Sequence, residues 1–216
     1  MNISLNLNKI NTEIPDDVLL VAVSKTKPIN DIKVAYQNGQ LHFGENKTQE
    51  LVKKAEKLPK NIKWHMIGHL QRNKVKYIAD FIYMIHSVHS LKLLEEINKQ
   101  ALKNNRNINV LIQVDISHDL TKFGFSYEEI NKLLLSEKIK EFKNISVLGL
   151  MGMASFTSNQ KIIRKQFKNL NTIYEKFKSN YSFKFLSMGM SSDYKIAIDE
   201  NSNIIRLGSN IFGKRS

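Results

Sequence analysis

The feature that most constrains this chain is an alternation repeated eight times. A short run rich in Val, Ile and Leu recurs along the sequence, and stretches of helical periodicity fill the spaces between. The runs are VLLVAVS (18–24), LHFG (41–44), KWHMIG (63–68), FIYMIHSV (81–88), INVLIQVDI (108–116), ISVLGLM (145–151), FKFLSMG (183–189) and NIIRLG (203–208). Strands separated by helices pair in parallel, because parallel neighbours need a crossover connection. Such crossovers are right-handed, and eight of them close a sheet into a barrel. An open doubly wound sheet fits less well, since regular repetition leaves no natural edge. The expected fold is therefore α/β, a (β/α)8 TIM barrel, with ISLNLNKI (3–10) as an extra N-terminal helix.

The helices carry their own punctuation. Pro28 opens one and Gly39 ends it. LQRNKVKYIAD (70–80) is expected to be helical. Ser90 is positioned as an N-cap, and Ser126 with Glu129 has the capping-box spacing. A long helix is expected over 159–180 and a further helix over 191–201. With only three prolines and no Pro/Gly/Ser-rich linker, residues 1–216 read as a single domain.

Composition removes several function classes. The chain has no cysteine, which excludes a disulfide framework and thiolate chemistry and suits a reducing cytosol. MNISLNLNKINTEIPDD lacks the apolar core of a signal peptide, and no run approaches the roughly 18 apolar residues of a membrane span. A soluble, cytoplasmic protein is expected. Thirty-three basic against 20 acidic residues give a net charge of +13. The lysines are dispersed and lack interleaved aromatic platforms, so a nucleic-acid partner is not expected. A solvated basic surface that attracts anionic ligands is the simpler reading.

Active sites in this fold lie at the C-terminal ends of the strands. Lys25 ends the first run, so its stem should pack while its amine faces the barrel mouth. An ordinary lysine titrates at about 10.4, and burial there would favour the neutral amine that carbonyl chemistry requires. Lys27 is the competing candidate, and a snorkelling surface lysine is the bland alternative. SMGMSSD (187–193) and RLGSNIFG (206–213) form a second constellation of small-residue turns after strands seven and eight. Glycines there let backbone approach an anion, and serine hydroxyls and helix N-terminal amides donate to it. Arg206 is either a structural charge pair or a fixed cationic donor. His65 and His69 lie on a strand and turn rather than one helical face, and His86 and His89 read as structural or solvent-facing. No metal site is expected.

AVSKTKP (22–28), FGEN (43–46), WHMIGHLQRNK (64–74), HSV (86–88), KFGF (122–125), GLM (149–151), SMGMSSD and RLGSNIFG occur together in the order and spacing of one family. The chain closely resembles the pyridoxal phosphate homeostasis proteins, relatives of the alanine racemase N-terminal barrel, from about Leu20 to Arg215. The resemblance implies a barrel of the fold type III kind found among pyridoxal phosphate proteins, with pyridoxal 5'-phosphate as cofactor. It places the cofactor on Lys25 as a Schiff base. It further implies that Ser191 and the Gly208–Ser209 turn hold the phosphate, that Arg206 faces the pyridine nitrogen, and that Asn46 and Met190 lie beside the ring. His69, His89 and Ser209 depart from the usual residues at their positions; none of these departures removes an implied ligand.

An arginine at the ring nitrogen keeps that nitrogen unprotonated, which weakens the electron sink used by pyridoxal enzymes. The related racemases also need a second domain to complete their site, and this sequence is expected to lack it. The resemblance thus implies intracellular homeostasis of pyridoxal phosphate and amino acids rather than efficient catalysis. A slow racemase or transaminase is the competing reading. Pyridoxal phosphate-dependent enzymes are the implied recipients, and a monomer is expected.

Overall fold

A computed structural model describes residues 2–117, 123–136 and 138–213. The strands are β1 (Leu19–Val23), β2 (His42–Glu45), β3 (Lys63–Met66), β4 (Met84–Val88), β5 (Ile108–Val114), β6 (Ile145–Gly152), β7 (Phe185–Ser187) and β8 (Ile204–Leu207). Each pairs in parallel with the next, and β8 returns to β1 with Leu20 opposite Ile205 and Ala22 opposite Leu207. The sheet is a closed barrel, as the alternation requires.

The helices are α1 (Ile3–Glu13), α2 (Ile29–Gln37), α3 (Thr48–Lys57), α4 (Leu91–Lys103), α5 (Tyr127–Leu135), α6 (Gln160–Tyr181), α7 (Tyr194–Asp199) and α8 (Ser209–Phe212). α1 precedes the barrel, buries Leu7 and Ile10, and packs against α2 and α8. The expected caps are present. Ser90 Oγ accepts from Leu93 N, and Ser126 and Glu129 exchange both bonds of a capping box. Pro28 occupies the N-cap of α2, and Gly39 follows that helix with φ +87°.

Three expectations need correction. LQRNKVKYIAD forms only a 3₁₀ turn, Arg72–Tyr77. Its amides close on carbonyls three residues back, Lys74 N on Gln71 O and Ile78 N on Val75 O, while Leu70, Val75, Ile78 and Ala79 are buried. β4 begins at Met84 because Phe81 N and Ile82 N donate back to Ile78 O, which keeps that stretch in the preceding turn. β7 is short because Ser182 adopts left-handed geometry (φ 52°) and Phe183 N closes onto Lys178 O, so the end of α6 uses residues the apolar run had assigned to the strand. The KFGF stretch falls partly at Lys122, outside the described residues.

The main apolar layer lies between sheet and helices and includes the fully buried Phe43, Leu51 and Phe167. A separate small cluster of Val21, Met84, Leu111, Met151 and Ile204 fills part of the barrel's inside. The remaining interior is polar, and that polarity leads to the mouth.

Candidate functional site

A cavity of about 530 Å³ opens at the C-terminal ends of the strands. It is lined by Lys25 and Lys27 after β1, Asn46 after β2, Met190 and Ser191 after β7, Arg206 on β8, and Gly208 and Ser209 at the start of α8. All seven residues implied by the family resemblance therefore meet in one space, together with the rival Lys27. Cavities of this size suit a small ligand.

Lys25 is half-buried on a turn held from both sides. On one side, Ser24 Oγ donates to Glu45 Oε1 at 2.5 Å and Ser24 O accepts from Lys54 Nζ at 2.7 Å. On the other, Thr26 N donates to Glu50 Oε1 at 2.6 Å. Lys54 Nζ joins the two anchors by donating to Glu45 Oε1 at 2.8 Å and Glu50 Oε1 at 2.7 Å. Thr26 itself has φ +66°, an unusual conformation for a β-branched residue. Such geometry persists only where surrounding bonds over-determine it, and here they do. Lys27 Nζ donates to Phe212 O at 2.8 Å, which ties that amine to α8.

Glu45 is fully buried, and burial pushes its carboxyl above the usual range despite the opposing pull of Lys54. Its Oε2 has no hydrogen-bond partner among the described residues. Neither Glu45 nor Lys54 stood out in the sequence. Their signal was the spacing from Glu45 to Lys54 across FGEN and the following helix, with Glu50 and Lys54 one helical turn apart.

The two small-residue turns are physically joined. Gly208 N donates to Ser191 Oγ at 3.3 Å, and Arg206 N donates to Gly189 O at 3.0 Å. Gly189 has φ +89°, and a Cβ there would lie 2.7 Å from Ala197 Cβ. At Gly208 a Cβ would meet Val23 O at 3.3 Å, so its lack of side chain keeps the wall of the cavity open. Ser209 begins α8, and the first amides of a helix have no intrahelical acceptor. Hydroxyls, open amides and close backbone make a cradle for an anionic group.

Arg206 is 4% exposed and yet forms no ion pair among the described residues. Its NH1 donates to Ser187 Oγ at 2.5 Å and its NH2 to Gly152 O at 3.1 Å. A guanidinium has more N–H donors than these contacts use, and this one lines the cavity. Burial pushes its pKa down to about 10, opposed by Asp193, so it stays cationic at neutral pH. Its contacts among the described residues are thus hydrogen bonds, with Asp193 a favourable charge farther off.

Behind Arg206 runs a column the sequence did not disclose. His86 Nδ1 lies 3.1 Å from Ser187 Oγ, His86 Nε2 lies 2.8 Å from His65 Nδ1, and His65 Nε2 lies 2.9 Å from His42 Nδ1. β4 and β7 are not neighbours, so the His86–Ser187 contact crosses the barrel's interior. Burial holds His65 and His86 far below the ordinary imidazole range; burial and Lys63 push His42 down to about 4. His65 and His86 are fully buried within this column. His69 and His89 stand apart, their rings 4.5 Å from each other and His69 stacked on Phe123. Among the described residues no cluster of His, Cys, Asp or Glu could hold a metal, and no helix is long and apolar enough to cross a membrane.

Residues 1–216 match the family described as alanine racemase, N-terminal domain. A pyridoxal phosphate homeostasis protein of Aquifex aeolicus is 39% identical over 199 residues, covering 91% of this chain and 86% of the relative. The chain belongs to that family. Another member, from Haemophilus influenzae, is 36% identical and matches 100% of this chain and 97% of its own length. Among solved structures, PipY of Synechococcus elongatus with PLP bound superposes with a TM-score of 0.89 at 30% identity, covering 98% of this chain and 100% of PipY. An alanine racemase of Clostridium difficile 630 in complex with cycloserine shares the fold at a TM-score of 0.82 and 17% identity; this family member spans 60% of that chain.

Proposed function

We propose that this chain binds pyridoxal 5'-phosphate as a Schiff base on Lys25 and serves intracellular homeostasis of pyridoxal phosphate and amino acids rather than efficient catalysis. The observation that carries the reading is the buried Arg206 sharing one cavity with Lys25 and the Ser191–Gly208–Ser209 cradle. The donor set fits the group: an amine for its aldehyde, hydroxyls and amides for its phosphate, and a guanidinium for its ring nitrogen. The names of the relatives and the PLP-bound PipY support the same reading.

In this reading Lys25 supplies the covalent attachment, and Ser24, Thr26, Glu45, Glu50 and Lys54 hold its turn. Ser191, Gly208 and Ser209 bind the phosphate, while Asn46 and Met190 flank the ring. When bound, the cofactor supplies a conjugated ring that can accept electrons, and a guanidinium at its nitrogen weakens that capacity. Racemisation also requires acid–base groups on both faces of the substrate. Among the described residues lining the cavity, the only side chains able to serve are Lys25 and Lys27, both from the turn after β1. This supports a carrier or buffer over an efficient racemase, with pyridoxal phosphate-dependent enzymes as recipients and the cytoplasm as setting.

The test is incubation of cofactor-loaded protein with single L-amino acids, following D-isomer and keto-acid formation. Retention of the cofactor with negligible turnover is expected. Sustained formation of either product at enzymatic rates contradicts the carrier role.

A further inference from the structure

Barrel interiors are usually filled by aliphatic side chains in layers. Here three imidazoles, a serine and an arginine are threaded in series, from His42 at the start of β2 to Arg206 at the cavity. Buried polar groups need complete hydrogen bonding, so the direction of each bond in the series can be worked out. Arg206 is always a donor, so Ser187 Oγ must accept from it. The Ser187 hydroxyl proton then has one acceptor among the observed contacts, His86 Nδ1. That choice fixes the rest. His86 donates through Nε2 to His65 Nδ1, and His65 donates through Nε2 to His42 Nδ1.

We propose that His86, backed by His65 and His42, is a positioning residue for Arg206. By accepting the Ser187 O–H hydrogen bond it turns the lone pairs of Ser187 Oγ toward Arg206, which steers NH1 inward and leaves the remaining guanidinium donors facing the cavity. Gly152 O fixes the second nitrogen in the same way. A neutral column suits this task, because a carboxylate in its place would draw the guanidinium into an ion pair and away from a weakly basic acceptor such as a ring nitrogen. The inference rests on the proposed role of Arg206 toward the cofactor.

A double-mutant cycle on pyridoxal 5'-phosphate affinity tests it. His86→Phe keeps the ring volume and removes the acceptor; it should weaken binding roughly tenfold. In an Arg206→Gln background the same change should cost less than about twofold, because the group it positions is gone. His86→Asn, which offers an amide oxygen to Ser187, should recover most of the affinity. An equal loss in both backgrounds, or none in the parent, overturns the positioning role. Should His86→Phe fail to fold, Ser187→Ala replaces it in the cycle with the same expectations. If Arg206→Gln alone binds the cofactor as the parent does, the site reading itself falls, an outcome distinct from equal losses in the two backgrounds.

Discussion

Ser24 Oγ donates to Glu45 Oε1 across 2.5 Å, joining the residue before Lys25 to the residue before Asn46. Two ligands implied for opposite parts of one cofactor are thereby fixed to adjacent strands, β1 and β2. The bond is buried at both ends, and Lys54 neutralises it from α3.

Removing that neutralisation has a calculable consequence. Lys54 is 5% exposed and its amine pairs with both Glu45 and Glu50. Lys54→Met leaves the carboxylates beside it without a counter-charge, and such losses cost about 3–5 kcal/mol. Denaturant unfolding should show that loss, and the turn carrying Lys25 should loosen with it. A variant as stable as the parent contradicts the clamp.

The cradle predicts discrimination between phosphorylated and unphosphorylated ligand. Ser191→Ala and Ser209→Ala should each weaken pyridoxal phosphate by about 1–3 kcal/mol while leaving pyridoxal nearly unaffected. Gly208→Ala should act in the same direction, because its Cβ would crowd Val23 O at 3.3 Å. Equilibrium binding of both ligands decides the matter. Equal affinity for the two forms in the parent protein contradicts the assignment.

The histidine column predicts a pH slope. The folded-state pKa of His42 is about 4, below its unfolded value of about 6.5. Between those values the unfolded chain binds the extra proton, so His42 contributes stability that is lost as pH falls from about 6.5 toward 4. His65 and His86 act in the same sense. Glu45, pushed up by burial, works the other way, favouring the folded state where its carboxyl is protonated. Thermal melts of parent and His42→Phe separate these contributions: the variant should show a shallower fall across that window. An unchanged slope contradicts the neutral column.

The same column predicts protonation sites. Nitrogen NMR should find the proton on Nε2 of His86, His65 and His42 at neutral pH. A proton on Nδ1 of His86 contradicts the direction derived from Arg206.

Much of the barrel was readable because strand runs are local. VLLVAVS and ISVLGLM each declare themselves within seven residues, and the caps at Ser90 and Ser126 mark helix starts by side-chain chemistry alone. The failures were at junctions. LQRNKVKYIAD has helical spacing at Val75, Ile78 and Ala79, yet the short segment between β3 and β4 closes as a 3₁₀ turn. The cavity residues were legible because strand ends converge in this fold, and motif resemblance then chose Lys25 over Lys27. The column was not legible, since its partners lie on strands distant in sequence and their contacts depend on which way each side chain points. One clue was available: His42, His65 and His86 sit on three consecutive strands within otherwise apolar runs.

The most direct measurement is borohydride reduction of cofactor-loaded protein followed by peptide mapping. One pyridoxyl phosphate adduct on the peptide containing Lys25, absent in Lys25→Ala, is the predicted result. An adduct on Lys27 in the parent, or undiminished labelling in Lys25→Ala, would contradict it.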